Sequence, residues 1–232
     1  MALVPEKKLL FIHLNKSCGN IVMYNLFSNF AETMTIHVND HMTLQEALKV
    51  RYPSKEKSTL RRRDLTIFAT VRNPFDRMVS IYHFYKEAKM GSGFTHPDKA
   101  NFYSGDRSID DDFDRWIQYI YSSSFDRERL YHNSEDRSSH INIFKYCFCN
   151  QLNWFIDGNG DLANDVKLIK IEDGDLKNYL LSLGLNDVDT ETRINATNHE
   201  HYSRYYSDAS RDLVAKHYAD DIEYFSYKFE SK

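Results

Sequence analysis

Apolar positions in this chain come in two rhythms that follow one another three times. Lys8 to Leu14 (KLLFIHL) is a short apolar run that stops at a polar, glycine-containing turn, and from Asn20 to Phe30 the apolar residues Ile21, Tyr24, Leu26 and Phe27 take helical spacing. That is strand, loop, helix. Leu65 to Val71 (LTIFATV) repeats the pattern: a β-rich run ends at Arg72-Asn73-Pro74, and FDRMVSIYHFYKEA follows as a helix with Pro74 suited to its first turn. A third strand is predicted over Val166 to Ile171, then Asp175 as an N-cap and an amphipathic LKNYLLSLGL closed by Gly184. Strands alternating with helices predict an α/β fold of three layers, a central parallel sheet flanked by helices. From Ser207 onward the chain reads as a capped helix whose apolar positions Leu213, Val214, His217, Tyr218, Ile222 and Phe225 belong to the core.

Two stretches break the rhythm, Gly91 to Asp112 and Ser122 to Ser139, both polar and rich in Gly, Pro, Ser and Asp. Loops of that length inside a compact domain are commonly functional. No internal repeat or linker divides the 232 residues, so a single domain over 1–232 is expected. Hydrophobic residues at 41% and charged residues at 28% are globular composition, and no apolar run approaches the roughly 18 residues a membrane-spanning helix needs. MALVPEKKLLFIHL runs into polar NKSCGN without a small-residue cleavage site, which points away from a secretory signal and towards a cytoplasmic protein with no membrane association.

A formal net charge of -4 disfavours non-specific nucleic-acid binding, which relies on a basic face. The three cysteines, Cys18, Cys147 and Cys149, are expected as thiols, and Cys147-x-Cys149 lacks the second ligand pair of a zinc site, so no metal is expected. Nothing in the sequence bears on oligomeric state.

Chemistry concentrates at the strand-to-helix junctions. In FIHLNKSCGN, Lys16 and Ser17 sit between a buried strand and a helix start, where backbone N–H groups and the helix dipole favour an anion and the lysine adds a full charge. Lys-Ser also resembles the end of a P-loop, so a nucleotide kinase is a competing reading. It fits less well, because the P-loop pattern has glycines ahead of the lysine where this chain has His13, Leu14 and Asn15. The second junction, TVRNPFDRMVSIYHF, brings Arg72 to a strand end and sets Arg77 and Ser80 three apart on one helix face, a combination suited to gripping a phosphate monoester.

Together the two junctions resemble the sulfotransferase family, whose motifs read like FIHIPKTGGT and FAxVRNPxDRxVSxY, and look closest to the carbohydrate branch that includes heparan 2-O- and chondroitin sulfotransferases and bacterial relatives. The resemblance runs on through HMTLQEAL, NQLNWFIDGNG, KIEDGDLKNYLLSLGL and the C-terminal stretch ending in EYFSYKF. It implies a P-loop-like sulfotransferase fold that binds 3′-phosphoadenosine 5′-phosphosulfate, PAPS, and passes its sulfuryl group to a hydroxyl or amine of a carbohydrate or small-molecule acceptor. The motif departs at Asn15-Lys16-Ser17-Cys18-Gly19-Asn20, where the family has Pro-Lys-Thr-Gly-Gly-Thr: the lysine stays, a thiol replaces a glycine, and an amide replaces the last hydroxyl. Those departures keep open a third reading, a catalytically inactive nucleotide-binding protein.

By the same resemblance, Lys16, Ser17, Cys18, Gly19 and Asn20 hold the 5′-phosphosulfate, Arg72 and Ser80 the 3′-phosphate, and Arg193 and Asn195 belong to a late loop over the nucleotide. His41 matches the histidine that serves as base in the heparan 2-O branch, with His37 in reserve and His13 structural. Glu46 is a candidate for orienting a histidine. Lys16 would also stabilise charge on the leaving oxygen. The acceptor is left to the two polar loops.

Overall fold

Leu9–Ile12 and Thr66–Val71 form strands because each is a short run rich in large apolar and β-branched residues cut off by turn residues, while Val166–Lys170 sets Val166, Leu168 and Ile169 among lysines. A computed structural model of the protein describes residues 1–36, 41–49, 60–89, 112–122, 148–192 and 199–232. In chain order the strands are β1 (Ala2–Val4), β2 (Leu9–Ile12), β3 (Thr35–Ile36), β4 (Thr66–Val71) and β5 (Val166–Lys170). The helices are α1 (Gly19–Phe30), α2 (Leu44–Lys49), α3 (Pro74–Lys89), α4 (Phe113–Ile120), α5 (Leu176–Ser182), α6 (Asp208–His217) and α7 (Ala219–Phe225). The polar stretches Gly91 to Asp112 and Ser122 to Ser139 lie outside the described residues save for their end residues Asp112 and Ser122.

Two compact units divide the chain, the first built from residues 1–72 and 151–196, the second from 73–150 and 197–232. The first holds one sheet of order β3-β1-β2-β4-β5. β2, β4 and β5 run parallel, with Phe11 opposite Phe68 and Ala69 opposite Leu168. The expected parallel sheet is corrected to a mixed one, since β1 pairs antiparallel with both β2 and β3. The cause is local: only the Pro5–Lys7 turn and Lys8, at φ 53°, separate β1 from β2, far too little chain for a crossover.

Alternation along the strands aims Ala2, Val4, Leu9, Phe11 and Phe68 at one face, where they are buried with Val22 and Leu26 of α1 and Leu176 and Leu180 of α5. Each of the valine, leucine and phenylalanine side chains contributes about 1.5–3 kcal/mol on burial. The buried stripe of α1 is Val22, Leu26 and Phe30, not the Ile21, Tyr24, Leu26 and Phe27 set that the spacing predicts; Tyr24 and Phe27 are 47% and 55% exposed. Asn25 settles the helix rotation. It is itself buried, its Nδ2 donates to Asp189 O (2.7 Å), and its Oδ1 accepts from Asp189 N (2.7 Å). The helix α5 ends as expected before Gly184, at φ 85°, but Asp175 makes no side-chain cap bond among the described residues.

In the second unit Phe75, Met78, Val79 and Tyr82 of α3 pack with Phe113, Trp116 and Ile117 of α4 and with Val214 and Tyr218. Pro74 opens α3, and Asn73 Oδ1 accepts from Phe75 N (3.1 Å). The predicted C-terminal helix is two helices, broken at Tyr218, whose fully buried hydroxyl donates to Met78 Sδ (3.2 Å). Ser207 caps α6 as its sequence suggests, accepting from Ser210 N (3.2 Å). Cys18 and Cys149 are thiols, and Cys147 lies outside the described residues.

Candidate active site

The parallel strand β2 delivers the chain to the N-terminus of α1, and the connection Lys16 to Cys18 lies in an unusual backbone conformation. Lys16 and Cys18 both have positive φ, 60° and 59°, with Cys18 in the N-cap position. Non-glycine residues take this conformation at a cost of roughly 1–2 kcal/mol each, and such strain clusters at functional sites. The turn leads directly into the N-terminus of a 12-residue helix, where a regular helix leaves main-chain N–H groups for an anion.

The loop is held from beneath by Gln151, which is fully buried. Its Oε1 accepts from Ser17 Oγ (3.3 Å) and from Arg72 N (3.0 Å), while its Nε2 donates to Arg72 O (2.8 Å). Arg72 Nη1 in turn donates to Lys16 O (3.4 Å). One amide therefore ties the end of β4 to the loop after β2, and gathers Lys16, Ser17 and Arg72 into one place. Ser17 is fully buried with its hydroxyl turned to Gln151. Gln151 was not among the predicted site residues. An uncharged amide ahead of the apolar LNWF carries no chemical signal beyond its place in a motif.

His41 lies at the same end of β2. Its Nδ1 is 2.9 Å from His13 O. A carbonyl only accepts, so Nδ1 carries a proton, and in the neutral form of the ring the basic lone pair is on Nε2. The two imidazoles meet at 4.4 Å between centroids, and His13, stacked on Phe11, is buried. The segment after His41 is pinned by a capping box: Glu46 Oε2 accepts from Thr43 N (2.9 Å) and Thr43 Oγ1 (2.9 Å). Glu46 thus caps the helix that follows His41. Gln45 anchors the other side, donating to Asp157 O (2.7 Å).

Gly19 and Asn20 are the first residues of α1. Ser80 is buried on α3 in the second unit, and Arg77, one turn before it, is fully buried there. His37, Arg193 and Asn195 lie outside the described residues. Among the described residues no helix is long and apolar enough to cross a membrane.

A lysine and an arginine joined at a strand end, with a histidine bonded to the main chain at the same end, are groups suited to transfer of an anionic group to a nucleophile that must lose a proton. A family model described as the sulfotransferase family matches residues 1–228. The chain belongs to that family. It is an enzyme, a sulfotransferase, and the α/β architecture with its open mixed sheet accords with that assignment. No curated protein and no solved structure matches this sulfotransferase. Its family implies an acceptor substrate.

Proposed function

We propose that this sulfotransferase moves the sulfuryl group from PAPS to a hydroxyl or amine of a carbohydrate or small-molecule acceptor, with His41 as the base. The observation that carries the reading is the hydrogen bond from His41 Nδ1 to His13 O at 2.9 Å, which leaves Nε2 as the proton acceptor at the strand end that opens the Lys16 loop. The loop fits an anionic donor group: it combines a helix N-terminus, a lysine and an arginine tied into the same network. Lys16, the N–H groups of Ser17 to Asn20, and Arg72 would hold the donor, and the resemblance adds Ser80 and Arg193. When bound, PAPS supplies a sulfuryl group activated by a phosphate leaving group. His41 Nε2 takes the acceptor's proton as the acceptor atom bonds to sulfur. The Lys16 ammonium and the α1 N-terminus stabilise the negative charge that passes to the departing oxygen. Both units belong to one P-loop-like, three-layer domain over 1–232, a reading supported by the match across 1–228.

Calorimetric titration with adenosine 3′,5′-bisphosphate, the desulfated donor, tests the donor site. Wild type is expected to bind at micromolar concentration, and Lys16→Ala and Arg72→Ala each to weaken binding about tenfold or more, roughly 1.4 kcal/mol. No binding at millimolar ligand would sink the PAPS reading. His41→Ala is then expected to bind the bisphosphate like wild type while transfer from PAPS falls by ~10²–10⁴-fold. Tight binding by wild type without transfer to any sugar or small-molecule acceptor would instead mark an inactive nucleotide-binding protein.

A further inference from the structure

The reading of His41 as base leaves His13 without a task, yet His13 touches everything around it. Its carbonyl accepts from His41 Nδ1, its ring lies 4.4 Å from the His41 ring, and it stacks on Phe11, 5.7 Å away. On the loop side the ring fills the place a side chain at residue 19 would take: a Cβ built on Gly19 would stand 1.9 Å from His13 Cδ2 and 2.3 Å from Nε2. No atom pair packs that closely, so glycine at 19 is required by the imidazole. Gly19 itself has no positive φ that would demand glycine.

We infer that His13 is a positioning residue: its ring is a wedge between the base and the first turn of α1, and fixes how far His41 stands from the helix N-terminus that receives the donor. Both surfaces of the wedge are in van der Waals contact, and the ring is 3% exposed with its back against Phe11, so it has no room to retreat. Shrinking the ring lets the base and the helix end approach or slide. The main-chain carbonyl that sets the His41 tautomer survives any substitution at 13, so the inference concerns spacing and not tautomer.

Three variants and a double variant test it, with bisphosphate binding by calorimetry and transfer kinetics with PAPS as readouts. His13→Ala is expected to bind the bisphosphate within about twofold of wild type and to keep the donor KM, while kcat falls by ~10-fold or more, the scale of a misplacement of about 1 Å. His13→Phe keeps the wedge and is expected to retain kcat within about threefold, a rescue that a ring-nitrogen role would not give. Gly19→Ala is expected to weaken bisphosphate binding strongly alone but by less than about twofold in the His13→Ala background, because the clash is gone; that non-additivity is the signature of direct contact. His13→Ala with unchanged kcat, His13→Phe as damaged as His13→Ala, or additive effects of the two substitutions each overturn the wedge. The inference rests on His41 as base, and the two readings fail differently: a wrong base shows as His41→Ala retaining kcat, whereas a wrong wedge shows as His13→Ala retaining kcat beside a dead His41→Ala. The Gly19 arm is read by binding alone and stands independently of the base.

Discussion

At position 18 the chain holds a thiol in left-handed backbone, φ 59°, where the motif it resembles has glycine. Glycine visits that region without steric penalty, so Cys18→Gly is expected to stabilise the protein by ~1 kcal/mol, a Tm gain of about 2–4 °C for a chain of this size. Thermal melts of both proteins measure it; an unchanged or lower Tm would mean the Cys18 side chain contributes packing that offsets the strain. A second residue writes itself into the pH dependence. His83 on α3 is held down to about 4 by burial, helped by the nearby His199 and Lys86, and its ring stacks on His199 at 5.1 Å. The unfolded chain protonates His83 near its ordinary value of about 6.5, whereas the folded chain resists until about 4. Stability from a lowered pKa is therefore fully present above the unfolded value and is lost as pH falls from about 6.5 to 4. Tm is expected to drop across that window in wild type and to drop less in His83→Phe. Sequence alone gave no sign of this, because one histidine among ten says nothing of its burial.

Between elements the decisive link is the amide of Gln151, which bonds the main chain of Arg72 in both directions and the Ser17 hydroxyl. Gln151→Leu keeps the volume and removes every bond, leaving buried polar groups on two site segments unsatisfied. A loss of ~1–3 kcal/mol of stability is expected, with bisphosphate binding weakened about tenfold, as urea titration and calorimetry would show. Binding unchanged in a destabilised protein would reduce Gln151 to a scaffold residue. The three parallel strands and the helix after each were legible because their periods switch from two to three or four over enough residues to register. β1 and β3 were not, since runs of three and two residues carry no period, and with them the antiparallel edge escaped. The rotation of α1 was misread for a different reason: Tyr24 and Phe27 look like core, but the buried Asn25, bonded to the Asp189 main chain, turns the helix so that Val22 and Leu26 face the sheet. The Lys16 and Arg72 junctions could be read because they sit where strands end; the groups that hold them in place could not, since a neutral amide and a buried imidazole look like packing.

For the whole molecule the question is whether two compact units behave as one sulfotransferase domain. The chain passes between them after Arg72, after Asn150 and after Ala196, and the family match spans both. A domain assembled from interleaved segments should unfold as one body, because neither unit can lose its structure without freeing chain that closes the other. The protein carries its own reporters: it has two tryptophans, Trp154 in the first unit and Trp116 in the second, both buried. In Trp116→Phe the fluorescence follows the first unit, and in Trp154→Phe it follows the second. A single cooperative domain gives, within each variant, a fluorescence transition coincident with the loss of total helix signal. Bisphosphate at about 100 times its Kd adds ~2.7 kcal/mol by mass action. If the units are one domain, the donor site around Lys16 and Arg72 transmits that gain to Trp116 as fully as to Trp154, and both variants shift by the same amount. Were Trp116 to report an earlier transition that ligand leaves in place, the first unit would fold and bind as a domain of its own, and the reading of 1–232 as a single sulfotransferase domain would fall.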